Sequence, residues 1–265
     1  EYTLMVNDDI KYPIIELEDV YKSFGELDVL KGIHLKIERG KTTVVLGESG
    51  SGKSVLLKHM VMLLRPDRGK IFFENQLLNQ LSERRLATVR TNFGFLFQSG
   101  ALFDSMTAGE NVAFPLVEHT DYNKEKIEQI VHEKLRMVGL ENFSSRMPGQ
   151  LSGGQKKRVA LARAIVMEPK VILYDEPTTG LDPIRADVIN ELIIKLQHQL
   201  KVTSIVVTHD MKSAFKVGDR LLMLYDGNFI FDGTSQQMQQ SQDSRIQRFI
   251  AGQASPDELE ELNGK

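Results

Sequence analysis

Apolar positions along the chain follow two spacings, one typical of strands and one typical of helices. Apolar and polar residues alternate at 14–20 and 29–40, which predicts two half-buried strands near the N-terminus. Nearly continuous apolar, β-branched runs at 42–47, 171–177 and 203–210 predict fully buried strands. Buried strands separated by helical segments predict a parallel sheet that is covered on both faces.

Helical spacing appears between these strands. It is clear at 53–64 and 184–200, and again at 124–139 within a mostly helical stretch, 99–168, which we expect to be an insertion on the sheet. The segment 221–233 predicts a hairpin with Asp-Gly at its turn.

The strongly patterned part of the chain spans 10–235, which we expect to be one domain. A polar, Gln-rich tail follows at 236–265. It carries one apolar patch of Ile246, Phe249 and Ile250 at helical spacing. This tail could pack on its own domain or cross to a partner subunit, and we slightly favour the partner.

Composition narrows the function classes. The 265 residues carry a net charge of −3, which gives no overall basic footprint for nucleic acid. The chain has no cysteine, which excludes disulfides and thiolate metal sites. No apolar run approaches the roughly 20 residues of a membrane helix, and no secretory signal is visible, so we expect no membrane span.

A glycine-rich stretch after the strand at 42–47 matches the pattern G-x-x-x-x-G-K-[ST]. Its glycines let backbone N–H groups turn toward an anion, and the helix that follows adds a partial positive charge. Lys53 is expected to reach the β- and γ-phosphates, and Ser54 to bind Mg²⁺. The predicted nucleotide-binding residues here are Gly47, Glu48, Ser49, Gly50, Ser51, Gly52, Lys53, Ser54 and Val55.

Two adjacent carboxylates end the buried strand at 171–177. Asp175 is expected to be the second Mg²⁺ ligand, and Glu176 lies where it could polarise an attacking water, which favours hydrolysis over transfer to an acceptor. A solvated acidic turn before Pro177 is the structural alternative. A GTPase is disfavoured because the stretch NKEK at 123–126 lacks the base-reading carboxylate, and small-molecule kinases usually lack both Glu176 and the second glycine motif described next.

A second glycine motif, LSGGQ, opens the helical run that begins near 153. Its residues Ser152, Gly153, Gly154 and Gln155 have the chemistry of a phosphate site at a helix N-terminus. The stronger phosphate loop lies about a hundred residues earlier in the sequence.

Taken in order, these motifs resemble the ATP-binding cassette (ABC) ATPase family over nearly the whole chain. The resemblance implies an α/β P-loop NTPase fold with a RecA-like core, an N-terminal antiparallel β subdomain and an inserted α-helical subdomain. It implies that Phe24 stacks on adenine, although Tyr21 is a nearby competitor. It assigns Gln98 to Mg²⁺ and catalysis, His209 to catalysis, and Asp182 of the GLDP segment to the nucleotide site.

The same resemblance implies which phosphate the LSGGQ motif would bind. Two copies would pack head to tail around two ATP molecules with Mg²⁺. The Ser152 and Gly154 region of one copy would then face the γ-phosphate held by Lys53 of the other. ATP would join the subunits, and hydrolysis would release them.

The segments FQSGALFDSMT at 97–107 and SRIQRFIAG at 244–252 resemble the corresponding sequences of the ATPases of MCE-linked (Mla-type) lipid transporters of Gram-negative bacteria. This implies phospholipid movement between inner and outer membranes, from a peripheral position on the cytoplasmic face of the inner membrane. A membrane permease would dock near 97–119, with a STAS-domain protein and a periplasmic MCE lipid-binding protein as further partners. We expect the docking groove to be lined by Leu102, Phe103, Met106 and Phe114.

Two alternatives remain open from the residues alone. ATPases of polar-solute importers share the same motifs. A soluble ABC ATPase acting on nucleic acid is less favoured, because the chain has no long heptad run, no cysteine for a zinc insertion and only one cassette. No nucleic-acid partner is expected.

Overall fold

The computed structural model describes residues 12–254, and within them ten strands form two sheets. The smaller sheet is antiparallel, with strand order β2-β1-β4-β5. It confirms the predicted antiparallel subdomain. Its strands are β1 (Ile15–Phe24), β2 (Leu27–Ile37), β4 (Arg68–Phe73) and β5 (Gln76–Leu77).

The larger sheet has six strands in the order β10-β9-β3-β8-β7-β6. All neighbours pair in parallel except β9 and β10, which form the predicted closing hairpin. Every residue of β3, β7 and β8 is buried, because helices cover both faces of the sheet. The strands are β3 (Thr42–Leu46), β6 (Phe93–Leu96), β7 (Val171–Asp175), β8 (Thr203–Thr208), β9 (Arg220–Tyr225) and β10 (Asn228–Gly233).

Helices surround this sheet, and three of them form the inserted helical layer. In that layer α3 packs against α4 and α5, and α5 also packs on β6. The helices are α1 (Lys53–Met60), α2 (Glu83–Arg90), α3 (Ala108–His119), α4 (Lys124–Met137), α5 (Gly153–Ile165), α6 (Pro183–Leu200), α7 (Met211–Val217), α8 (Ser235–Gln239) and α9 (Ser244–Ala251). None of the helices within 12–254 combines the length and apolarity that a membrane crossing requires.

Helix α1 ends earlier than the apolar pattern predicted. The expected helix 53–64 stops at Met60, and Met62 takes a left-handed backbone conformation with φ 53°. The Arg90 guanidinium, at the end of α2, donates to the carbonyls of Val61 and Met62 at 3.1 and 2.7 Å. A side chain distant in sequence therefore satisfies two carbonyl groups that lie just beyond the end of the helix.

The C-terminal part of the described chain packs on its own domain. Ile246 in α9 is buried in the core of the main sheet, and Phe249 and Ile250 are partly buried against the same core. The apolar patch seen in the sequence is therefore covered within the chain. The predicted contact of the tail 236–265 with a partner stays a prediction, and residues 255–265 of that tail lie outside the described residues.

Candidate nucleotide-binding site

The phosphate loop turns sharply between β3 and α1, as the motif predicted. Gly52 precedes the helix in a left-handed conformation with φ 97°. A Cβ at this position would lie 2.8 Å from a methyl carbon of Val29, so both backbone conformation and space require glycine. The first amides of α1 are thereby turned into the loop, where helix geometry leaves them free to bind an anion.

The Lys53 ammonium is buried inside this loop. It donates to the carbonyls of Gly47 and Glu48, both at 2.8 Å, and lies 3.7 Å from a carboxylate oxygen of Glu176. Burial lowers the pKa of Lys53, although the neighbouring carboxylates oppose that shift. The cation therefore stands between the loop backbone and the end of β7, where a phosphate would meet it.

A pair of oxygen ligands joins α1 to β7. The Ser54 hydroxyl donates to a carboxylate oxygen of Asp175 at 2.8 Å. Asp175 is buried, and desolvation raises its pKa. A hydroxyl and a carboxylate in contact are the kind of oxygen donors that Mg²⁺ uses, so the residues present fit that ion. Gln98 lines the same cleft.

Glu176 is held at both its backbone and its side chain. Its backbone is left-handed, with φ 49°, and its N–H donates to the Val207 carbonyl at 3.0 Å. Its carboxylate accepts hydrogen bonds from the hydroxyls of Thr179 at 3.2 Å and Thr208 at 3.3 Å. Nδ1 of His209 lies 3.0 Å from the same carboxylate. The carboxylate is thus fixed beside Lys53.

Lys53, Ser54, Gln98, Glu176 and His209 share one cleft of about 330 Å³, which Asp175 does not line. Residues of the phosphate loop, the predicted adenine-stacking Phe24 and the predicted catalytic His209 all line this cleft. Gly47, Glu48 and Ser51 belong to the loop but do not line the cleft. The lining residues are Phe24, Val29, Ser49, Gly50, Gly52, Lys53, Ser54, Val55, Gln98, Glu176 and His209.

Of the two candidate adenine-stacking aromatics, only Phe24 lines the cleft. Its ring is 47% exposed and lies 5.3 Å from the Lys22 ammonium. Tyr21 is engaged elsewhere, since the Arg68 guanidinium lies 4.3 Å from its ring centroid. Its hydroxyl would be 2.7 Å from a Cβ at Gly32, so the ring fills the space which that glycine leaves.

The LSGGQ residues lie away from the cleft of their own chain. Ser152 caps α5 in a capping box with Gln155, and both Ser152 and Gly153 are exposed. An ideal Cβ on Gly154 would lie 3.6 Å from the side chain of Arg185 at the start of α6. Asp182 caps that helix by accepting from two of its backbone amides. The structure therefore places the second glycine motif next to Asp182 and apart from Lys53.

Sequence reasoning missed residues that hold Glu176 in place. Besides Thr179 and Thr208, the buried Lys157 of α5 donates to the Glu176 carbonyl at 3.2 Å. A signal was available, because Gly154 and Leu161 lie three residues before and four residues after Lys157 and are buried as well. Helical spacing thus places this lysine on the inner face of α5.

The apolar groove beside the helical layer exists but has a different lining from the prediction. Phe103 and Phe114 line it, with ring centroids 4.8 Å apart, in a groove of about 490 Å³. Leu102 and Met106 do not line it, which corrects the expected set. Leu102 instead packs against the core, because the turn before α3 directs it inward.

A family model described as ABC transporter matches residues 30–179. MlaF of Haemophilus influenzae, an intermembrane phospholipid transport system ATP-binding protein, is 43% identical over 91% of this chain and 91% of its own length. The probable ribonucleotide transport ATP-binding protein mkl of Mycobacterium leprae is 41% identical over 90% of this chain and 69% of its own length.

A solved structure is similar as well. It is the dimeric post-hydrolysis state of the ATP-binding cassette MJ0796 bound to ADP and Pi, with 36% identity and a TM-score of 0.77. The match covers 83% of this chain and 98% of that one.

Proposed function

The chain belongs to the ABC transporter ATPase family, and on that basis we propose that it energises the movement of phospholipid between two membranes. It is the ATP-hydrolysing subunit of an ABC transporter. The finer assignment is supported by one observation above others, which is the 43% identity to a phospholipid transport ATPase along 91% of both chains.

At the phosphate end of the cleft, the loop amides and Lys53 would bind the β- and γ-phosphates of ATP. Ser54, Asp175 and Gln98 would hold Mg²⁺, which neutralises charge on the phosphates when it is bound. Phe24 would stack on the adenine, because its ring is exposed at the opposite end of the same cleft.

Hydrolysis requires a base for the attacking water, and we assign that role to Glu176, which lies beside Lys53 in the cleft. As the water oxygen bonds to the γ-phosphorus, its proton passes to the Glu176 carboxylate and the bond to the β–γ bridging oxygen breaks. The products are ADP and inorganic phosphate. His209, at 3.0 Å, would hold the carboxylate and the γ-phosphate in register.

A second copy of the chain would complete each site. The similar cassette MJ0796 is dimeric, which supports self-association of this chain. Ser152, Gly153, Gly154 and Gln155 at the α5 N-terminus would approach the γ-phosphate bound to the other copy, with Asp182 alongside. The exposure of Ser152 and Gly153 and their separation from their own cleft support this arrangement.

The groove lined by Phe103 and Phe114 would receive the permease. An exposed ring, Phe103, beside a half-buried one, Phe114, in a concave surface suits an amphipathic helix from a membrane subunit. The groove overlaps the predicted docking stretch 97–119. A STAS-domain protein and a periplasmic MCE protein would complete the assembly at the inner membrane.

A different cargo is the competing proposal. The mycobacterial relative named for ribonucleotide transport is 41% identical, close to the value for the phospholipid relative. Phospholipid and ribonucleotide transport would use the same nucleotide site. The cargo must therefore be identified in the assembled transporter.

The test is to purify the chain from native membranes in mild detergent with everything that remains bound to it. We expect a permease, an MCE protein and tightly bound phospholipid, measured as lipid phosphorus and by mass spectrometry. Recovery of a permease with a solute-binding protein, and no phospholipid above the detergent control, would overturn the lipid assignment while leaving the ATPase assignment standing.

A further inference from the structure

A buried lysine connects the helix that begins with LSGGQ to Glu176 at the end of β7. Lys157 is only 5% exposed, and its ammonium donates to the Glu176 carbonyl at 3.2 Å. Desolvation lowers the pKa of Lys157. Burying an ammonium costs free energy unless the group is paired or hydrogen-bonded in the interior. Its one hydrogen-bond acceptor among the described residues is the backbone of the proposed catalytic glutamate.

The backbone that Lys157 holds is strained. Glu176 has a left-handed φ of 49°, a conformation that is unfavourable for a residue with a Cβ. The next residue is Pro177, whose ring further restricts the residue before it. Such a conformation persists only when its surroundings enforce it. Two hydrogen bonds do so here, one from the Glu176 N–H to Val207 and one from Lys157 to the Glu176 carbonyl.

Lys157 also belongs to the helix that begins with LSGGQ. It follows the N-cap Ser152 by five positions on α5, which is about 7.5 Å along a rigid helix. Any displacement of the α5 N-terminus is therefore carried to the Lys157 ammonium.

We propose that Lys157 is a positioning residue that couples the two half-sites of one chain, so that engagement of LSGGQ at the partner's ATP sets the carboxylate of Glu176 at the chain's own ATP. This rests on the head-to-tail dimer of the proposed function. The link runs through α5 and one hydrogen bond to the strained peptide. The position of each Glu176 carboxylate would then depend on whether the LSGGQ motif of the same chain contacts the ATP bound to the partner.

The test compares Lys157→Met with Lys156→Met in the full chain. Methionine keeps most of the buried volume and removes the donor. Lys156 is the neighbouring lysine on the same helix and forms no side-chain hydrogen bond within the described residues, so it controls for loss of one charge. We expect Lys157→Met to lower kcat by about tenfold to a hundredfold, the loss typical of a misplaced catalytic group. The ATP dissociation constant should stay within about twofold of that of Lys156→Met, since no phosphate contact is lost.

A second readout separates positioning from simple damage to α5. In a Glu176→Gln background, where hydrolysis is blocked, adding Lys157→Met should leave ATP-dependent dimerisation unchanged. Lys157→Gln, which keeps an N–H donor, should restore part of kcat, and Lys157→Leu, which has no donor, serves as the test if the methionine variant does not fold.

Two results would overturn the proposal. The first is a kcat for Lys157→Met, or for Lys157→Leu if the methionine variant does not fold, equal to that of Lys156→Met. The second is loss of ATP-dependent dimerisation in the Glu176→Gln background, which would mean that Lys157 only shapes the signature helix. If instead Glu176→Gln alone hydrolyses ATP normally, the proposed function fails first, so the two failures are distinguishable.

Discussion

Nδ1 of His209 lies 3.0 Å from the carboxylate of Glu176, and the two residues directly follow different strands of the main sheet, β8 and β7. Parallel pairing of β7 with β8 brings their carboxyl ends to the same edge, so two residues 33 positions apart share one site. The imidazole is half exposed to the cleft, whereas Glu176 is buried. This places the ring between solvent and the carboxylate.

Replacing His209 with alanine should slow hydrolysis without weakening ATP binding. Glu176 would keep the hydroxyls of Thr179 and Thr208, so its carboxylate stays nearby but loses its link to the γ-phosphate. We expect kcat to fall by about 100-fold, within the range for loss of a positioned acid–base partner. Thr179→Val removes one neutral hydrogen bond and is the control, with a smaller loss expected. Equal kcat values for the two variants would argue against a special role for His209.

The two aromatic candidates near the cleft should respond in opposite ways. Phe24→Ala should weaken ATP binding by about 1–3 kcal/mol, the usual worth of stacking on a base. Tyr21→Ala should leave ATP binding unchanged and lower the melting temperature, because Tyr21 packs beside Gly32 under Arg68. Titration with ATP and a thermal melt on both variants decide the matter. Weakened binding in the Tyr21 variant alone would reverse the assignment.

The LSGGQ motif should act on the partner's nucleotide. Ser152→Arg places a long cation at the exposed start of α5, where a second copy would have to approach. We expect ATP binding to the isolated chain to persist and ATP-dependent dimerisation to be lost, measured by light scattering. Ser82→Arg, at the exposed start of α2, is the matched control and should dimerise normally. Normal dimers of the Ser152 variant would count against the action in trans.

A buried histidine on α1 should make stability depend on pH. His59 is fully buried, and its Nδ1 donates to the Val55 carbonyl at 2.7 Å. Its Nε2 has no hydrogen-bond partner among the described residues. Burial lowers the pKa of His59 below its ordinary 6.5, and the nearby Lys22 cation acts in the same direction while Asp67 opposes it.

The sign of the effect follows from that lowered pKa. Below about pH 6.5 the unfolded chain takes up a proton on this histidine and the folded chain does not, so the free energy of unfolding falls as the pH falls. The slope attributable to one histidine is at most about 1.4 kcal/mol per pH unit. The free energy of unfolding can be measured with urea at several pH values between 7 and 5. It should depend less steeply on pH in His59→Met than in His132→Gln, whose parent histidine is exposed. Parallel slopes in the two variants would show that His59 titrates normally.

Periodicity and local chemistry predicted most of the sheet and the phosphate loop. The runs that form β3, β7 and β8 are apolar on both faces, and only a doubly covered parallel strand needs that. The glycines of the loop were readable because only glycine tolerates the turn at Gly52. The order of the motifs then fixed which strand ends meet.

What the sequence could not predict depends on contacts between distant segments. Helix α1 ends at Met60, and the carbonyls beyond it are bound by Arg90 of α2, a contact that the local pattern does not reveal. Tyr21 rather than Phe24 fills the space beside Gly32, and no local sequence pattern reveals this. A lysine on a helix is usually solvated. Helical spacing indicates the inner face of α5 for Lys157, but it does not reveal the acceptor at Glu176.

The most direct test of the whole account is the Glu176→Gln variant in the presence of Mg²⁺ and ATP. The change keeps the side chain's size and removes the base, so binding and dimerisation should continue while hydrolysis stops. We expect a stable dimer that holds two ATP molecules, detected by light scattering and by nucleotide analysis of the isolated dimer. A variant that turns over ATP at the wild-type rate, or one that binds ATP and stays monomeric, would contradict the account.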